Sequence, residues 1–306
     1  MITNVMFHHF HDEHNHPKSQ GSITADKLEQ VLLFLKKEKR ILSPEQFRDG
    51  LLTNNNYDQD ICLTFDDGIK SQIEISLPVL RALDLSAFFF IYSGIFGIKP
   101  DNLEFYRDFR HNFFDSIEDF YSSFFSTTFD TDSKYKNKLD KNYSEDYLSS
   151  ATFYSENDRK FRFLRDQVLT REEYNMLMDQ MLDYYNYNRE ARKDVLFMNK
   201  NDLIHLREEG HSVGLHSKSH PTNMERLKYN EQYQEFSENK QCLEEITNSK
   251  VWSMSHPSGS YSEETLSILK ELSISIGFRA DVEKYRDHSN LECPRIDHTI
   301  LINKYL

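Results

Sequence analysis

Short apolar runs alternating with helix-patterned stretches constrain this chain more than any other feature, because a parallel sheet with crossover helices requires that alternation. Val5 to Phe10 is the first run, Ile61 to Phe65 the second, and Ala87 to Tyr92 the third and most apolar; Ser212 to Leu215 is a later, shorter one. Between the first two, Thr24 is placed to cap a helix whose Leu28, Val31, Leu32 and Leu35 follow the i, i+3, i+4, i+7 rule. Pro78 suits the first position of a helix carrying Val79, Leu80 and Leu83. Further helices are expected over Asn201 to Glu209, ended by Gly210, over Asn230 to Thr247, and after Ser260, which has capping-box spacing to Glu263.

The pattern changes at about 102–197, where aromatic and charged residues mix, glycine is absent and helical stretches such as Arg171 to Tyr185 dominate. This reads as a helical, aromatic-rich insertion in a single domain spanning 1–306, with Thr127 to Ser149 polar enough for a mobile loop. Its Tyr and Phe residues fit core packing better than a ring-stacking platform.

With 50 acidic against 37 basic side chains the net charge is −13, which opposes extended contact with nucleic acid or an anionic membrane face but leaves room for one phosphate. Cys62, Cys242 and Cys293 are isolated and read as reduced thiols. No segment reaches the roughly 18 to 20 apolar residues of a membrane span, so integral membrane association is not expected. Met1-Ile2-Thr3-Asn4 lacks the features of a leader, so a cytoplasmic location and a cytosolic precursor as substrate are expected.

Chemistry concentrates in two places. Thr64-Phe65-Asp66-Asp67-Gly68 ends the second strand with two carboxylates whose side chains point to different sides. One can bind a cation while the other stays free to accept a proton, as metal-assisted hydrolysis needs; the plainer alternative is an Asp-Asp-Gly turn with Asp67 as a helix cap. His216-Ser217-Lys218-Ser219-His220 follows the strand Ser212 to Leu215, and two imidazoles four residues apart can meet one divalent ion. Nitrogen and oxygen donors suit zinc, cobalt, nickel or iron. Among His8, His9, His11, His14 and His16 no ligand spacing is evident, and a polar loop with one or two pocket-lining imidazoles is the better reading.

Thr64 to Gly68, together with His216 to His220 preceded by Gly210-His211, resembles the polysaccharide deacetylase family of NodB-homology, carbohydrate-esterase-4-like proteins. The resemblance implies an α/β fold, a distorted and incompletely closed (β/α)7-type barrel, and one divalent ion, zinc before cobalt, nickel or iron, held by Asp67, His216 and His220, with Asp66 as general base. Ser255-His256-Pro257-Ser258-Gly259-Ser260-Tyr261 is similar to the family's third motif, which assigns the oxyanion contact to the Ser258 amide and places His256 near the substrate. The family often has an Arg where Ser255 stands. Gly277-Phe278-Arg279 and Pro294-Arg295-Ile296-Asp297-His298 resemble later strands, making Arg295 the candidate to orient Asp66, with Arg279 and Asp297 as further substrate-binding or orienting residues. The final motif's usual His before Asp is missing, so His298 is taken as the general acid, with His8 or His9 as the alternative.

The implied activity is hydrolytic removal of an N-acyl, foremost N-acetyl, group from a small sugar or nucleotide-sugar, a nucleotide- or lipid-linked precursor of a bacterial capsule or O-antigen. A non-catalytic carbohydrate-binding relative and a hydrolase of a non-sugar amide are the other readings. The sequence leaves the oligomeric state open.

Overall fold

The computed structural model describes residues 2–53, 59–97, 102–149, 154–282 and 289–306. They divide into two compact units, Met1–Asp101 with Lys193–Leu306, and Asn102–Arg192.

In the first unit, strand β1 (Asn4–Phe7) is followed by helix α1 (Ala25–Glu38), capped by Thr24 as its sequence requires and burying Leu28, Val31, Leu32 and Leu35. A small parallel pair, β2 (Arg40–Ile41) and β3 (Asp60–Ile61), flanks α2 (Pro44–Leu52). Next come β4 (Leu63–Asp66), a π-turn over Gln72–Ser76 that runs into α3 (Leu77–Ala82), and β5 (Phe88–Ile91).

The second unit is helical: α4 (Leu103–Asn112), α5 (Ile117–Thr131), α6 (Ser133–Asn142), α7 (Glu156–Phe163) and α8 (Arg171–Tyr184), with α9 (Arg189–Leu196) leading out of it. Phe105, Phe109, Phe120, Phe124 and Phe161 are fully buried there, so the aromatic richness is core. The stretch read as a mobile loop, Thr127 to Ser149, is largely helical. Asp132 caps α6, and Tyr135 and Leu139, one turn apart, are buried.

The first unit resumes with α10 (Lys200–Glu208), β6 (Ser212–Leu215), α11 (Tyr229–Thr247), β7 (Ser253–Ser255), α12 (Glu263–Glu271), β8 (Ile276–Phe278), β9 (Arg295–Asp297) and α13 (His298–Tyr305). The cap of α12 is Ser262, paired with Thr265, rather than Ser260.

Seven parallel strands run in the order β8-β7-β6-β5-β4-β1-β9. The outer strands are brought together by residues 290–293: Asn290 and Cys293 exchange main-chain hydrogen bonds with Gly277, and the chain then passes through Pro294 into β9. The result is a sheet nearly closed into a barrel.

Pleating sorts the side chains. The register sets Met6, Thr64 and Phe88 side by side, and likewise Asp66, Phe90 and Gly214. A Cβ on Gly214 would lie 2.6 Å from both the Phe90 ring and Ser253 Oγ, so only glycine admits Phe90 there. Phe47, Phe88, Phe90 and Phe278 form one apolar cluster with Cys62 and Cys293. On the opposite face Phe7, Phe65 and Phe89 stack strand to strand, with centroids 5.1 and 4.7 Å apart.

Candidate functional site

Most of the residues singled out for chemistry lie at the C-terminal ends of these strands, the end where parallel α/β barrels build their sites. Asp66 is the last residue of β4, His8 follows β1, His216 follows β6, Ser255 ends β7 and Asp297 ends β9.

Asp67, His216 and His220 converge. Asp67 Oδ1 stands 3.3 Å from His216 Nε2 and 3.5 Å from His220 Nε2, and the two Nε2 atoms are 3.1 Å apart. Four-coordinate zinc with bonds near 2.0–2.1 Å separates its ligand atoms by about 3.4 Å, which these edges match. His216 Nδ1 donates to the Ser255 carbonyl at 2.9 Å, which leaves Nε2 as a lone pair facing the carboxylate. Asp67 Oδ1 is buried with no hydrogen-bond partner. Three ligand atoms this close suit a shared cation, and among the described residues no other group of His, Cys, Asp and Glu has this geometry. The donor set thus fits a divalent ion.

Electrostatics agree. Burial opposes ionisation of Asp67, but the neighbouring imidazoles, His216 foremost, outweigh it and hold the carboxyl far below the carboxylate range. Burial, reinforced by the His216 charge, pushes His220 down to about 4, keeping it in the neutral form that ligates metals.

The local backbone is unusual. Asp67 (φ 80°), Ser217 (φ 64°) and His220 (φ 50°) all adopt the left-handed region without being glycine, strain of a kind that clusters at functional sites. Several residues hold it in place. Glu235 on α11 accepts from the N–H groups of Lys218 and Ser219 and from Ser219 Oγ. Fully buried Asn239 accepts from the His216 N–H and donates to the Ile91 carbonyl. Gln72 donates to the main-chain carbonyls of His8 and Asp66, tying β1 to β4. Sequence reasoning missed all three, since polar side chains on helical segments read as solvated; their hydrogen bonds, and for Gln72 and Asn239 their burial, reveal them.

Two further segments grip the ligand loops. Ser93 and Gly94 donate main-chain hydrogen bonds to the carbonyls of Ser217 and Lys218, between the two histidines, while Met198 donates to the Gly68 carbonyl and Phe197 bridges Ile69, beside Asp67. A Cβ on Gly94 would sit 2.8 Å from the Lys218 carbonyl oxygen. Gly94→Ala should therefore displace the histidine loop and weaken divalent-ion affinity by about tenfold or more, read by competition with a chromogenic chelator. Affinity equal to wild type would mean the loop yields without moving its imidazoles.

Asp66 does not belong to the triangle. Its Oδ1 accepts from Arg295 Nη1 and its Oδ2 from Arg295 Nη2, both at 2.8 Å, and Oδ2 also accepts from Ser255 Oγ at 3.1 Å. Arg295 is 1% exposed and spends its other donors on Thr64 Oγ1, Ser255 Oγ and the Arg279 carbonyl. Burial would raise the Asp66 carboxyl, yet the Arg295 charge wins and holds it below its ordinary value.

The remaining candidates separate. His8 Nε2 is 4.0 Å from Asp66 Oδ2, and its Nδ1 is 4.0 Å from Asp297 Oδ2; His8 is partly exposed. His9 lies parallel to it, 6.2 Å between centroids. His298, expected as the proton donor, is instead buried at the start of α13, with Nδ1 on the Met6 carbonyl and Nε2 on the Gly21 carbonyl. Both nitrogens thus face main-chain carbonyls, one of which takes the ring's N–H, and a helix start, not a strand end, sets its direction. His256 is likewise buried rather than presented to a ligand: Nε2 donates to the Leu291 carbonyl, the ring stacks on Tyr261 at 4.2 Å, and burial presses its pKa to about 3. Ser258 is exposed in a left-handed turn (φ 53°). Arg279 pairs with Asp281, and Asp297 caps α13 through the N–H and hydroxyl of Thr299. His11 bonds Ser22 and His16 pairs with Glu74, placing both in the loop's own scaffold.

The polysaccharide deacetylase family profile matches residues 176–277, a span that includes His216, His220 and Ser255 to Tyr261 but not Asp66 and Asp67. The whole length aligns with solved structures of that kind. The chain has the polysaccharide deacetylase fold. A Streptococcus pyogenes deacetylase, PplD, in complex with acetate is 16% identical, with 97% of this chain and 91% of that one covered at a TM-score of 0.56. IcaB from Ammonifex degensii is 14% identical over 96% and 90% of the two chains, TM-score 0.57. A de-N-acetylase from Aggregatibacter actinomycetemcomitans is 12% identical over 96% and 94%, TM-score 0.54. No curated protein matches in sequence. Among the described residues of this polysaccharide deacetylase fold, no helix is long and apolar enough to cross a membrane.

Proposed function

We propose that this chain is a metal-dependent carbohydrate N-deacetylase, removing an acetyl group from the nitrogen of a sugar carried on a nucleotide- or lipid-linked precursor of a bacterial surface polysaccharide. One observation carries the reading: three converged ligand atoms stand beside a buried carboxylate that takes no part in their triangle and is kept ionised by its own arginine. A metal-binding scaffold without catalysis has no need of that second carboxylate.

Asp67, His216 and His220 would hold the ion, with zinc the first choice and cobalt, nickel or iron admitted by the same donors. When bound, the ion supplies Lewis acidity to the attacking water and to the acyl carbonyl. Asp66 takes the proton of the water as it attacks, and Arg295 keeps Asp66 ionised and aimed. The Ser258 N–H donates to the oxyanion. His8, rather than His298, delivers a proton to the leaving amine, with Asp297 placed to hold its other nitrogen. The products are a free amino sugar and the carboxylic acid. Acetyl as the departing group is supported by the descriptions of the Streptococcus and Aggregatibacter proteins.

The test is acetate release from a panel of N-acetylated sugars, free, nucleotide-linked and polymeric, with simple amides alongside. Release from the sugars that stops on chelation and returns with added zinc is expected. Release from none of them, or release indifferent to chelator, overturns the proposal.

A further inference from the structure

Strand β7 ends in a serine that touches both halves of the site. The Ser255 carbonyl accepts from His216 Nδ1 at 2.9 Å, and its hydroxyl lies between Asp66 and Arg295. Arg295 has five N–H groups and all of them are placed: Nε on the Arg279 carbonyl at 2.6 Å, Nη1 on Thr64 Oγ1 at 3.0 Å and Asp66 Oδ1 at 2.8 Å, Nη2 on Asp66 Oδ2 at 2.8 Å and Ser255 Oγ at 2.7 Å. A guanidinium only donates, so both hydroxyls must accept from it and send their own protons elsewhere. Thr64 sends its proton to the Val5 carbonyl at 3.0 Å, and Ser255 sends its to Asp66 Oδ2 at 3.1 Å. The network is shut away from water: Thr64 and Ser255 are fully buried, and the guanidinium carbon of Arg295 lies 5.9 Å from the ring centroids of both Phe90 and Phe278.

The arginine alone treats the two oxygens of Asp66 alike, with one N–H on each at the same distance. The Ser255 hydroxyl breaks that symmetry. It gives Oδ2 a second hydrogen bond and leaves Oδ1 with the open lone pair. We infer, on the deacetylase reading above, that Ser255 is a positioning residue for the base: its hydroxyl fixes which carboxylate oxygen takes the proton of the attacking water, while its carbonyl fixes the ring of the ion ligand His216. Because one residue holds both base and ligand, a side-chain change separates the two. Alanine deletes the hydrogen bond to Asp66 and leaves an Arg295 N–H unmatched, yet retains the carbonyl that orients His216.

Rates and ion content of Ser255→Ala, Ser255→Cys and Ser255→Thr test this. Alanine should lower kcat by about tenfold or more, since it deletes a hydrogen bond to a charged group, with KM within about twofold of wild type and bound divalent ion unchanged. Cysteine keeps the volume but donates weakly and should fall with alanine, whereas threonine keeps the hydroxyl and should recover most of the rate. In an Asp66→Asn background, Ser255→Ala should lower the residual rate by less than about twofold, because a residue that works through the base has nothing left to position. Melting temperatures provide the same cycle without any substrate: the fall caused by Ser255→Ala should shrink by about half or more in the Asp66→Asn background. A wild type that releases no acetate ends the deacetylase reading; the melting cycle then still tells whether Ser255 holds Asp66. An alanine variant within about threefold of the wild-type rate, a rise in KM or a loss of ion in place of the fall in kcat, cysteine faster than threonine, or effects on rate and melting that add in full across the double variant, each overturns the inference.

Discussion

Replacing Asp66 by Asn should lower kcat by about 10² to 10⁴ while the divalent-ion content of the protein stays at its wild-type value. The carboxylate accepts one hydrogen bond on Oδ1 and two on Oδ2. A carboxylate offers about four lone-pair positions. The open position on Oδ1 is therefore where a water proton can go. An amide keeps the shape but cannot take up that proton, and it turns N–H donors toward Arg295 or Ser255. The ligand atoms of Asp67, His216 and His220 are untouched by the change. Acetate release and metal analysis on the same preparation read both halves. Loss of the ion along with activity would move Asp66 into the ligand set, and a rate within about threefold of wild type would remove it from the chemistry.

Arg295→Met should cost about 3 to 5 kcal/mol of stability at neutral pH, the size expected when one member of a buried ion pair is removed and the other left behind. Burial and the Arg295 charge pull the Asp66 carboxyl in opposite directions, and in the wild type the charge prevails. The stability this lends is complete above the unfolded carboxylate pKa and is lost as pH falls through the lower folded value. Without Arg295, burial raises the carboxyl instead. The native variant then binds more protons than its unfolded chain between the ordinary value and the raised one, so its deficit narrows on acidification through that window. By the same shift, the acid limb of the pH–rate profile moves to higher pH. Urea unfolding at several pH values and a pH–rate profile check both. A variant as stable as wild type at neutral pH, with its acid limb unmoved, would show that Asp66 finds its counter-charge elsewhere.

Periodicity and short motifs made part of this molecule legible in advance. The parallel strands are visible because apolar runs such as Ala87 to Tyr92 have only one good use, and the helix starting after Thr24 follows from its cap and stripe. Asp67, His216 and His220 stand out because carboxylate and imidazole at strand ends have few competing explanations. Features set by tertiary direction stayed hidden. Nothing local says that Asn239 points inward from a polar helix and Gln72 from a short turn, or that the ring of His298 folds back onto the carbonyls of Met6 and Gly21. Helix α6 was masked by its lysines and asparagines, because just two buried residues, Tyr135 and Leu139, hold it to the rest of its unit.

The hydrogen bonds from Ser93 and Gly94 to the histidine loop, and from Met198 to the carbonyl after Asp67, give residues 102–192 a particular kind of attachment. The chain departs from one gatepost of the ion site and returns at the other. A slip of a single residue at either root would pull a ligand out of line.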